Sequence, residues 1–471
     1  MEEKELAEFA VNLALRKGAS YSEARLENNE NNGFMLKNGV PQVAGFDVSK
    51  GIGLRILFNG ALGFATTNEL RKEKIREIVD RSIKISKVCS VKSKKTRFSI
   101  EAKEKASYSV KQKKKIADVS VKDKLGVLFE IEKMIAKSKV RVPGRYLSLS
   151  DTTTKKYFLN SEGTEVTSEI PRVGYVYYLT IEKKGKTMQR YWQYGSSKGW
   201  EAVDEWNLPQ KMIDEVKALS KNLDEGVKIN EEKIDFVVAS EVVGIIAHES
   251  GGHPYESDRI IGRESAQAGE SFITKDMIGK RIGSSAVNVV DDPTIKNSFG
   301  FFLYDDDGVK AKRKILIKNG IINEFLKNRE TASELGEKSN GSSRASAYDR
   351  EPIVRMSNTF FLPGDYSEEE LIRETKKGVY MKNFMEWNID DKRLNQKYVG
   401  AESYLIENGK ITRPVKMPVL EIQTPVLYRS IDAVADNVEY HAGTCGKGEP
   451  MQGIPIWLGG PSLRIKNVKV R

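Results

Sequence analysis

The sequence predicts an α+β protein of two domains, an α/β amino-terminal domain with antiparallel hairpins followed by a β-dominated carboxyl-terminal domain. Three observations predict this class. The chain has 471 residues, more than one ordinary hydrophobic core accommodates. Apolar residues recur at helical spacing in several segments of the first half. Asn-Gly pairs, which favour two-residue hairpin turns, separate apolar segments in both halves.

The amino-terminal half should contain four helices and a series of strands. Helical periodicity begins at Leu6 and stops at Gly18, and it returns from Leu70 to Val88. A further helix is expected from Lys122 to Lys137, and Pro209 can open a fourth because proline suits the first helical turn. Hairpin turns are expected at Asn38-Gly39 and Asn59-Gly60, and later strands around Tyr146–Ser150, Lys156–Asn160 and Val173–Ile181.

A polar stretch from Asn222 to Lys233 marks the expected domain boundary, which gives domains of residues 1–225 and 232–471. Beyond it, Ile234 to Ala239 is a short apolar strand candidate, and Ser240 is expected to be the N-cap of the next helix. The remainder is mostly strand and turn. Its turn and helix-start signals are Asn319-Gly320, Asn408-Gly409 and Ser367-x-x-Glu370.

The composition fits a soluble globular protein. Apolar residues make up 39% of the chain and charged residues 30%, which argues against a disordered chain. Two cysteines argue against a disulfide scaffold and for a reducing compartment. No apolar run approaches the roughly 18 residues that a membrane span requires, and the amino end lacks the layout of a secretory signal. The cytoplasm is therefore the expected location, with no membrane partner.

The net charge of +11 raises the question of an anionic partner. Much of the excess lies in two lysine-rich stretches, Lys92–Arg97 and Lys111–Lys115. Few aromatic residues interleave with these lysines, and arginines are scarce there, so stacking platforms and bidentate phosphate contacts are missing. These features favour a solvated lysine-rich face over a nucleic-acid-binding surface.

The chain has only three histidines, and two of them lie in His248-Glu249-Ser250-Gly251-Gly252-His253. The third, His441, precedes Cys445 by four residues. The other cysteine, Cys89, follows a helical segment and is assigned a structural role. Because the few nitrogen and sulfur ligands of the chain are clustered, the sequence predicts a metal site.

The spacing of the two paired histidines is unusual. Histidines four apart on a helix lie within about 40° of each other and can share a zinc ion. Here the spacing is five, which separates them by about 140° on a regular helix. Gly251 and Gly252 allow the backbone to unwind or bulge before His253. The metal-site helix of the carboxyl-terminal domain is therefore expected to change course at these glycines.

A catalytic zinc site has three protein ligands and one open position. His248 and His253 provide two, and either Cys445 or His441 can provide the third. Zinc lowers the pKa of bound water toward about 7. Glu249, beside the first ligand, is placed to accept the proton of that water and later to protonate a leaving amine.

Six segments carry a resemblance to a known family. They are GIGLRILFNGALGFATTNEL (Gly51–Leu70), AHESGGHPYESDR (Ala247–Arg259), FFLYDDDGVKAKR, RMSNTFFLPG (Arg355–Gly364), GKITRPV and GTCGKGEPMQG (Gly443–Gly453). With these segments, nearly the whole chain resembles the TldD/PmbA family of metalloproteases. Residues His248 to His253 form an HExxxH motif. The chain therefore resembles the TldD branch of the family, since the PmbA-like branch lacks this motif.

The resemblance implies one zinc ion per subunit, held by His248, His253 and Cys445, with Glu249 as the base. It favours Cys445 over His441 as the third ligand and leaves His441 as a bystander or a substrate contact. Tyr255 and Glu256, which follow the motif, are candidates for supporting the ligands.

The resemblance also implies two-domain subunits that dimerise and cleave short or unfolded peptides. The amino-terminal domain would supply the peptide groove and the dimer contacts. The partner would be an identical subunit or a PmbA-like relative without the motif. Motif similarity makes Arg355 and Asn358 candidates for positioning the peptide. The chain departs from the family at residues 383–401, where bulky and charged residues replace an expected glycine-rich stretch.

Three functions are compatible with these features. The first is a zinc-dependent metallopeptidase that hydrolyses peptide bonds through a metal-activated water. The second is a non-proteolytic zinc amidohydrolase that uses the same site on a small amide. The third is a scaffold with structural zinc and a basic surface that binds a partner or nucleic acid, which a fourth ligand such as His441 would favour.

Overall fold

The computed structural model of the protein describes residues 3–91, 95–230, 232–264 and 269–470. It confirms the α+β class, because helices and strands alternate in the first half and strands dominate the second. No helix within these residues is long and apolar enough to cross a membrane. Residues 92–94 of the lysine-rich stretch Lys92–Arg97 lie outside the described residues.

The first half of the chain forms one seven-stranded sheet with helices against it. Its elements are α1 (Glu3–Arg16), β1 (Tyr21–Lys37), β2 (Val40–Phe58), β3 (Ala61–Thr67), α2 (Lys72–Cys89), β4 (Lys105–Ser109), α3 (Val121–Lys137), β5 (Arg141–Asn160), β6 (Glu165–Lys183), β7 (Lys186–Ser196), α4 (Glu201–Trp206) and α5 (Leu208–Glu225).

The seven-stranded sheet has the order β3-β2-β1-β5-β6-β4, and β7 also pairs with β6. The predicted hairpin turns are confirmed: Asn38 and Gly39 join β1 to β2, Asn59 and Gly60 join β2 to β3, and all four have positive φ angles between 49° and 77°. The predicted strands around residues 146–150 and 156–160 are parts of the single strand β5. Its length comes from pairing with β1 and β6 along most of its course.

Two groups of apolar side chains hold the helices against this sheet. α3 and α5 contact each other and the sheet, with Leu128, Ile131 and Val216 in the main core of the protein. α1 and α2 pack with β1, β2 and β3 around Ile52 and Leu54 in a separate cluster. The predicted amphipathic helices are thus confirmed, each with its apolar stripe facing a sheet.

The second half of the chain has many short strands. Its elements are β8 (Glu232–Val238), α6 (Ser240–Ile246), α7 (Ser257–Ile260), β9 (Val289–Asp291), β10 (Lys314–Lys318), β11 (Ile321–Ile322), α8 (Arg329–Leu335), β12 (Ser343–Arg344), β13 (Ile353–Val354), β14 (Asn358–Phe361), α9 (Glu368–Arg373), β15 (Lys377–Met381), β16 (Phe384–Ile389), β17 (Asn395–Gly400), β18 (Ser403–Glu407), β19 (Lys410–Pro414), β20 (Val419–Gln423), α10 (Thr424–Ser430), β21 (Ile431–Val434), β22 (Glu439–Lys447), β23 (Gln452–Gly460) and β24 (Leu463–Val470).

These strands form two large sheets. A nine-stranded sheet has the order β16-β17-β20-β24-β8-β15-β18-β19, with β21 beside β24, and a six-stranded sheet has the order β11-β10-β9-β14-β23-β22. Helix α6 follows β8 and packs on β22, β23 and β14. Gly244 permits this close packing, because a Cβ atom there would lie 2.3 Å from Cδ1 of Leu458. The carboxyl-terminal sheets and the amino-terminal helices share one continuous core. The domain boundary at residues 225–232 stays a prediction.

Local signals in the second half have mixed outcomes. The hairpin turns at Asn319-Gly320 and Asn408-Gly409 are confirmed, as is the capping box that begins α9 at Ser367. The N-cap prediction for Ser240 is wrong: Ala239 is the N-cap, and Ser240 is the first residue of α6. In the first half of the chain, Cys89 is exposed at the end of α2 and is not part of the group of candidate metal ligands.

Ion pairs join the two halves of the chain. Nζ of Lys156 on β5, which is partly exposed, lies 3.0 Å from Oδ1 of Asp306, and the buried Arg55 on β2 pairs with the buried Asp307. Burial alone would raise the pKa of Asp306, but Lys156 and Arg25 outweigh it and lower that pKa to about 2. A carboxyl group with a lowered pKa stabilises the folded state above its unfolded pKa, and this contribution is lost as the pH falls through the folded pKa.

We predict that Asp306→Asn lowers the free energy of unfolding by about 2 kcal/mol at pH 7, because the uncharged amide leaves Lys156 and Arg25 without this partner. The difference from the wild type should shrink between about pH 4 and pH 2, where the wild-type carboxyl group becomes protonated. Urea unfolding at a series of pH values measures it. A difference that is constant over this range would contradict the assignment.

Candidate metal centre

The two histidines of the motif lie at a π-helical turn that follows helix α6. Helix α6 has regular geometry, and residues 247–252 form a π-helical turn followed by a 3₁₀ turn from His253 to Tyr255. The backbone N–H of His253 donates to the carbonyl of His248, a hydrogen bond that spans five residues. Such a bond brings residues five apart onto the same side of the turn. The predicted change of course is therefore present, and it brings the two imidazoles together.

The two glycines of the motif allow close packing around this turn. A Cβ atom at Gly252 would lie 1.8 Å from Sδ of Met356, and one at Gly251 would lie 2.8 Å from Cγ1 of Val289. Neither glycine has a positive φ angle. Glycine is therefore needed at both positions because the neighbouring side chains leave no room for a Cβ atom. The sequence had suggested a different reason, the conformational freedom of the glycine backbone.

His248, His253 and Cys445 converge in the interior of the protein. Their ligand atoms all lie within 4.8 Å of one another, and the three residues are 5%, 3% and 4% exposed. Sγ of Cys445 lies 3.4 Å from Nε2 of His253. The imidazole rings are 4.8 Å apart between centroids, with planes at 79°. Among the described residues this is the only such group of ligands.

A buried charge network orients His253. Its Nδ1 lies 2.9 Å from Oε2 of Glu256, so with Nδ1 as the donor the lone pair of Nε2 faces Cys445. The same carboxylate oxygen accepts a hydrogen bond from Nε of Arg259 at 2.7 Å and lies 3.3 Å from Nζ of Lys447. Burial would raise the pKa of Glu256, but Lys447, His253 and Arg259 hold it well below its ordinary value. The carboxylate therefore keeps its charge in the interior.

The cluster also controls the protonation of Cys445. Burial opposes an ionised thiol, but His253, Arg355 and His248 outweigh it and hold the pKa of Cys445 well below its ordinary value. Burial likewise opposes a charged His248, yet the nearby Cys445 raises the pKa of this imidazole. These charges therefore favour the thiolate form of Cys445, which is the form that binds metals.

These residues fit a zinc ion. Two imidazole nitrogens and one thiolate sulfur are ligands that zinc prefers, and three protein ligands are the number found in catalytic zinc sites. Nδ1 of His248 is buried and has no hydrogen-bond partner among the described residues. His441 lies apart from this cluster: its Nε2 lies 3.0 Å from Oγ of Ser240, and burial lowers its pKa to about 3.

The structure places the candidate substrate residues differently from the expectation. Arg355 is fully buried and donates to the backbone carbonyls of Gln452 and Cys445, so it holds the strand that carries the thiolate. Asn358 is also fully buried, and its amide donates to the carbonyl of Asp292 at 2.6 Å. Direct contact of either side chain with a peptide is therefore not supported. RMSNTFFLPG is a structural segment next to the site.

Sequence reasoning missed three residues of the centre. Arg259 and Lys447 support Glu256, and Nη1 of Arg393 donates to Oε2 of Glu249 at 2.8 Å. A signal for Arg259 was available, because Glu256 and Arg259 stand three apart just after the ligand motif. Lys447 on β22 and Arg393 in the turn between β16 and β17 are far from the motif in the sequence, and their spacing to it carries no signal.

The fold and the site define a protein with a buried candidate metal centre of two histidines and one cysteine, and with a carboxylate next to the first histidine in the sequence. Three models of one protein family match the chain. Residues 231–471 match the PmbA/TldA metallopeptidase C-terminal domain, residues 22–86 match domain 1 of this metallopeptidase family, and residues 114–223 match its central domain. The chain belongs to the PmbA/TldD family.

Similar proteins have names consistent with this family. A metalloprotease of Methanocaldococcus jannaschii is 30% identical, over 94% of this chain and 95% of that protein. A zinc metalloprotease TldD homolog of Saccharolobus solfataricus is 23% identical, over 96% of this chain and 97% of its own length. The family and the names of these relatives support a metallopeptidase.

Solved structures share the fold. A Thermotoga maritima protein described as a proposed modulator of a DNA gyrase has a TM-score of 0.80 at 18% identity, with 100% of both chains covered. TldE from Thermococcus kodakarensis has a TM-score of 0.76 at 17% identity, with 99% of both chains covered. At these identities the likeness concerns the fold alone.

We predict that Glu256→Gln weakens zinc binding by about 10- to 100-fold, because the neutral amide no longer holds His253 as an anionic acceptor. Competition with a chromogenic chelator measures the affinity. Glu369→Gln, at an exposed position in the first turn of α9, removes the same charge far from the motif in sequence and should bind zinc as the wild type does. Equal affinities for Glu256→Gln and the wild type would contradict this role.

Proposed function

We propose that the protein is a zinc-dependent metallopeptidase that hydrolyses short or unfolded peptides. The observation that carries this proposal is the buried group of His248, His253 and Cys445 with the carboxylate of Glu249 beside the first ligand in sequence. Relatives over nearly the full length of the chain carry the name metalloprotease, and one carries the name zinc metalloprotease. These names support the reaction class and the metal.

The chemistry follows from the residues of the centre. When bound, zinc polarises the peptide carbonyl and lowers the pKa of water. Glu249 accepts one proton as the water oxygen bonds to the carbonyl carbon, and it returns this proton to the amine nitrogen as the carbon–nitrogen bond breaks. The products are a carboxylic acid and an amine. His253 and Cys445 keep their positions through Glu256 and Arg355.

A purely structural zinc site is less well supported. Structural sites have four protein ligands, whereas the described residues bring together three. His441, the fourth candidate, is paired with Ser240. A non-proteolytic amidohydrolase would use the same three ligands and Glu249, and a panel of peptides and small amides separates these two reactions by their kcat/KM values.

We assign dimer contacts and the peptide groove to the amino-terminal domain, residues 1–225. Support for the dimer contacts comes from the far half of the β1–β2 hairpin, where Val40, Val43, Phe46 and Val48 are between 43% and 65% exposed. An exposed apolar group of this kind is typical of an interface. The partner is a second family subunit, identical or lacking the motif, and we assign the complex to the cytoplasm.

We predict that Glu249→Gln lowers kcat for peptide cleavage by about 10²- to 10⁴-fold, because the amide cannot accept the proton of water. Zinc content should match that of the wild type, since the side chain keeps its shape and is not a ligand, whereas the unfolding temperature should fall because Arg393 loses its charged partner. Cleavage of a fluorogenic peptide, metal analysis and calorimetry measure these quantities. Full activity of this variant, or of the wild type after complete removal of its metal, would contradict the proposed function.

A further inference from the structure

The turn between β16 and β17 brings a cation onto the proposed base. Nη1 of Arg393 donates to Oε2 of Glu249 at 2.8 Å, and the two side chains are 12% and 6% exposed. We infer that Arg393 is a further catalytic residue, which holds the Glu249 carboxylate and donates to the carbonyl oxygen of the peptide. This inference rests on the proposed function.

The turn that carries Arg393 is fixed from several sides. Its backbone carbonyl accepts a hydrogen bond from Oγ1 of Thr424 at 2.8 Å, and the carbonyl of Leu394 accepts one from the Thr424 N–H at 2.8 Å. The Asp390 carboxylate accepts from the backbone N–H groups of Leu394 and Asn395. Arg393 itself has a φ angle of 64°, which an arginine rarely adopts. A strained residue held this firmly is typical of a functional position.

The guanidinium has donors left after its bond to Glu249. A guanidinium carries five N–H donors, and the hydrogen bond to Glu249 uses one of them. Nε of Arg393 is buried and has no hydrogen-bond partner among the described residues. An unpaired buried donor costs free energy through desolvation, and an acceptor at Nε would recover it. The unpaired Nε of Arg393 therefore points to an acceptor that arrives with the substrate.

The chemistry of the proposed reaction identifies that acceptor. As the water oxygen bonds to the carbonyl carbon, the π electron pair of the carbonyl moves to its oxygen, which becomes negatively charged. Glu249 takes the proton of the water, and Arg393 donates a hydrogen bond to the charged oxygen without losing a proton, since arginine stays protonated. Collapse of this oxygen breaks the carbon–nitrogen bond, and Glu249 protonates the amine. Fixed donors at such an oxygen lower the barrier to hydrolysis.

The turn that carries Arg393, between β16 and β17, also offers a matched control. The same turn contains Lys392, a lysine that is 62% exposed and lies 3.4 Å from Glu270. Lys392 is therefore a matched control: it is a cation one residue away on the same turn, and its charged group faces another carboxylate.

The first experiment measures peptide cleavage by zinc-loaded wild type, Arg393→Ala, Arg393→Lys and Lys392→Ala. We expect kcat of Arg393→Ala to fall by about 10²- to 10³-fold. KM should change by less than about threefold, because the contact strengthens in the transition state. Millimolar guanidinium should restore part of the activity of Arg393→Ala alone, by occupying the vacated position. Lys392→Ala should match the wild type, and all variants should hold the same zinc content.

The second experiment does not depend on turnover. A peptide phosphinate has a tetrahedral anionic group in place of the scissile carbonyl, and Arg393→Ala should bind it about 10- to 100-fold more weakly than the wild type. The uncharged control ligand is the same peptide with a ketomethylene group in place of the scissile peptide bond, and Arg393→Ala should lose far less affinity for it than for the phosphinate. Calorimetric titration measures the affinity of the wild type and of Arg393→Ala for both ligands.

The possible results distinguish a failure of the role of Arg393 from a failure of the proposed peptidase function. The role of Arg393 would be overturned if Arg393→Ala kept the kcat and the phosphinate affinity of the wild type. The proposed function would still stand if the wild type cleaved peptides and lost this activity on metal removal. A loss of activity that guanidinium does not restore, with equal weakening of both ligands, would also overturn it, because the residue would then act through folding. A wild type that neither cleaves peptides nor binds the phosphinate would overturn the proposed function itself.

Discussion

The hydrogen bond from the His253 N–H to the His248 carbonyl is the constraint on which the metal centre depends. A regular helix would turn the two imidazoles about 140° apart, and only a turn closed over five residues brings them to one side. This turn is wide, so it needs neighbours that fill the space around it. Val289 and Met356 do so, and they approach so closely that residues 251 and 252 have no room for a side chain.

Strand β22 completes the centre with two side chains on the same face. Cys445 points at the histidines, and Lys447, two residues later, pairs with Asp258 at 2.7 Å and lies 3.3 Å from Glu256. One strand therefore supplies both a ligand and the cation that keeps the carboxylate behind His253 ionised. Because these charges are buried, removing one partner leaves the others without compensation. The positions of the candidate ligands thus depend on the contacts between β22 and the residues that follow α6.

Much of the fold and of the site follows from local sequence signals. Asn-Gly pairs predict four hairpin turns because their backbone conformations suit the turn itself, and the Ser367 capping box needs only residues within one helical turn. The pair of glycines and the five-residue spacing predict the wide turn. The length of β5 does not follow, since pairing with neighbouring strands decides it. Arg393 and Lys447 do not follow either, because they meet the motif 144 and 189 residues away in the chain. For Arg355 the sequence signal was misleading. Its motif suggested a substrate contact, but the side chain is buried and donates a hydrogen bond to the backbone carbonyl of Cys445.

The ligand set of His248, His253 and Cys445 is the central claim, and zinc K-edge X-ray absorption of the zinc-loaded protein tests it most directly. The spectrum should require one sulfur at about 2.3 Å and imidazole nitrogens at about 2.0–2.1 Å from the metal. Cys445→Ser should lose the sulfur contribution and keep the nitrogens. A wild-type spectrum without sulfur, or a sulfur contribution that persists in Cys445→Ser, would contradict this ligand set.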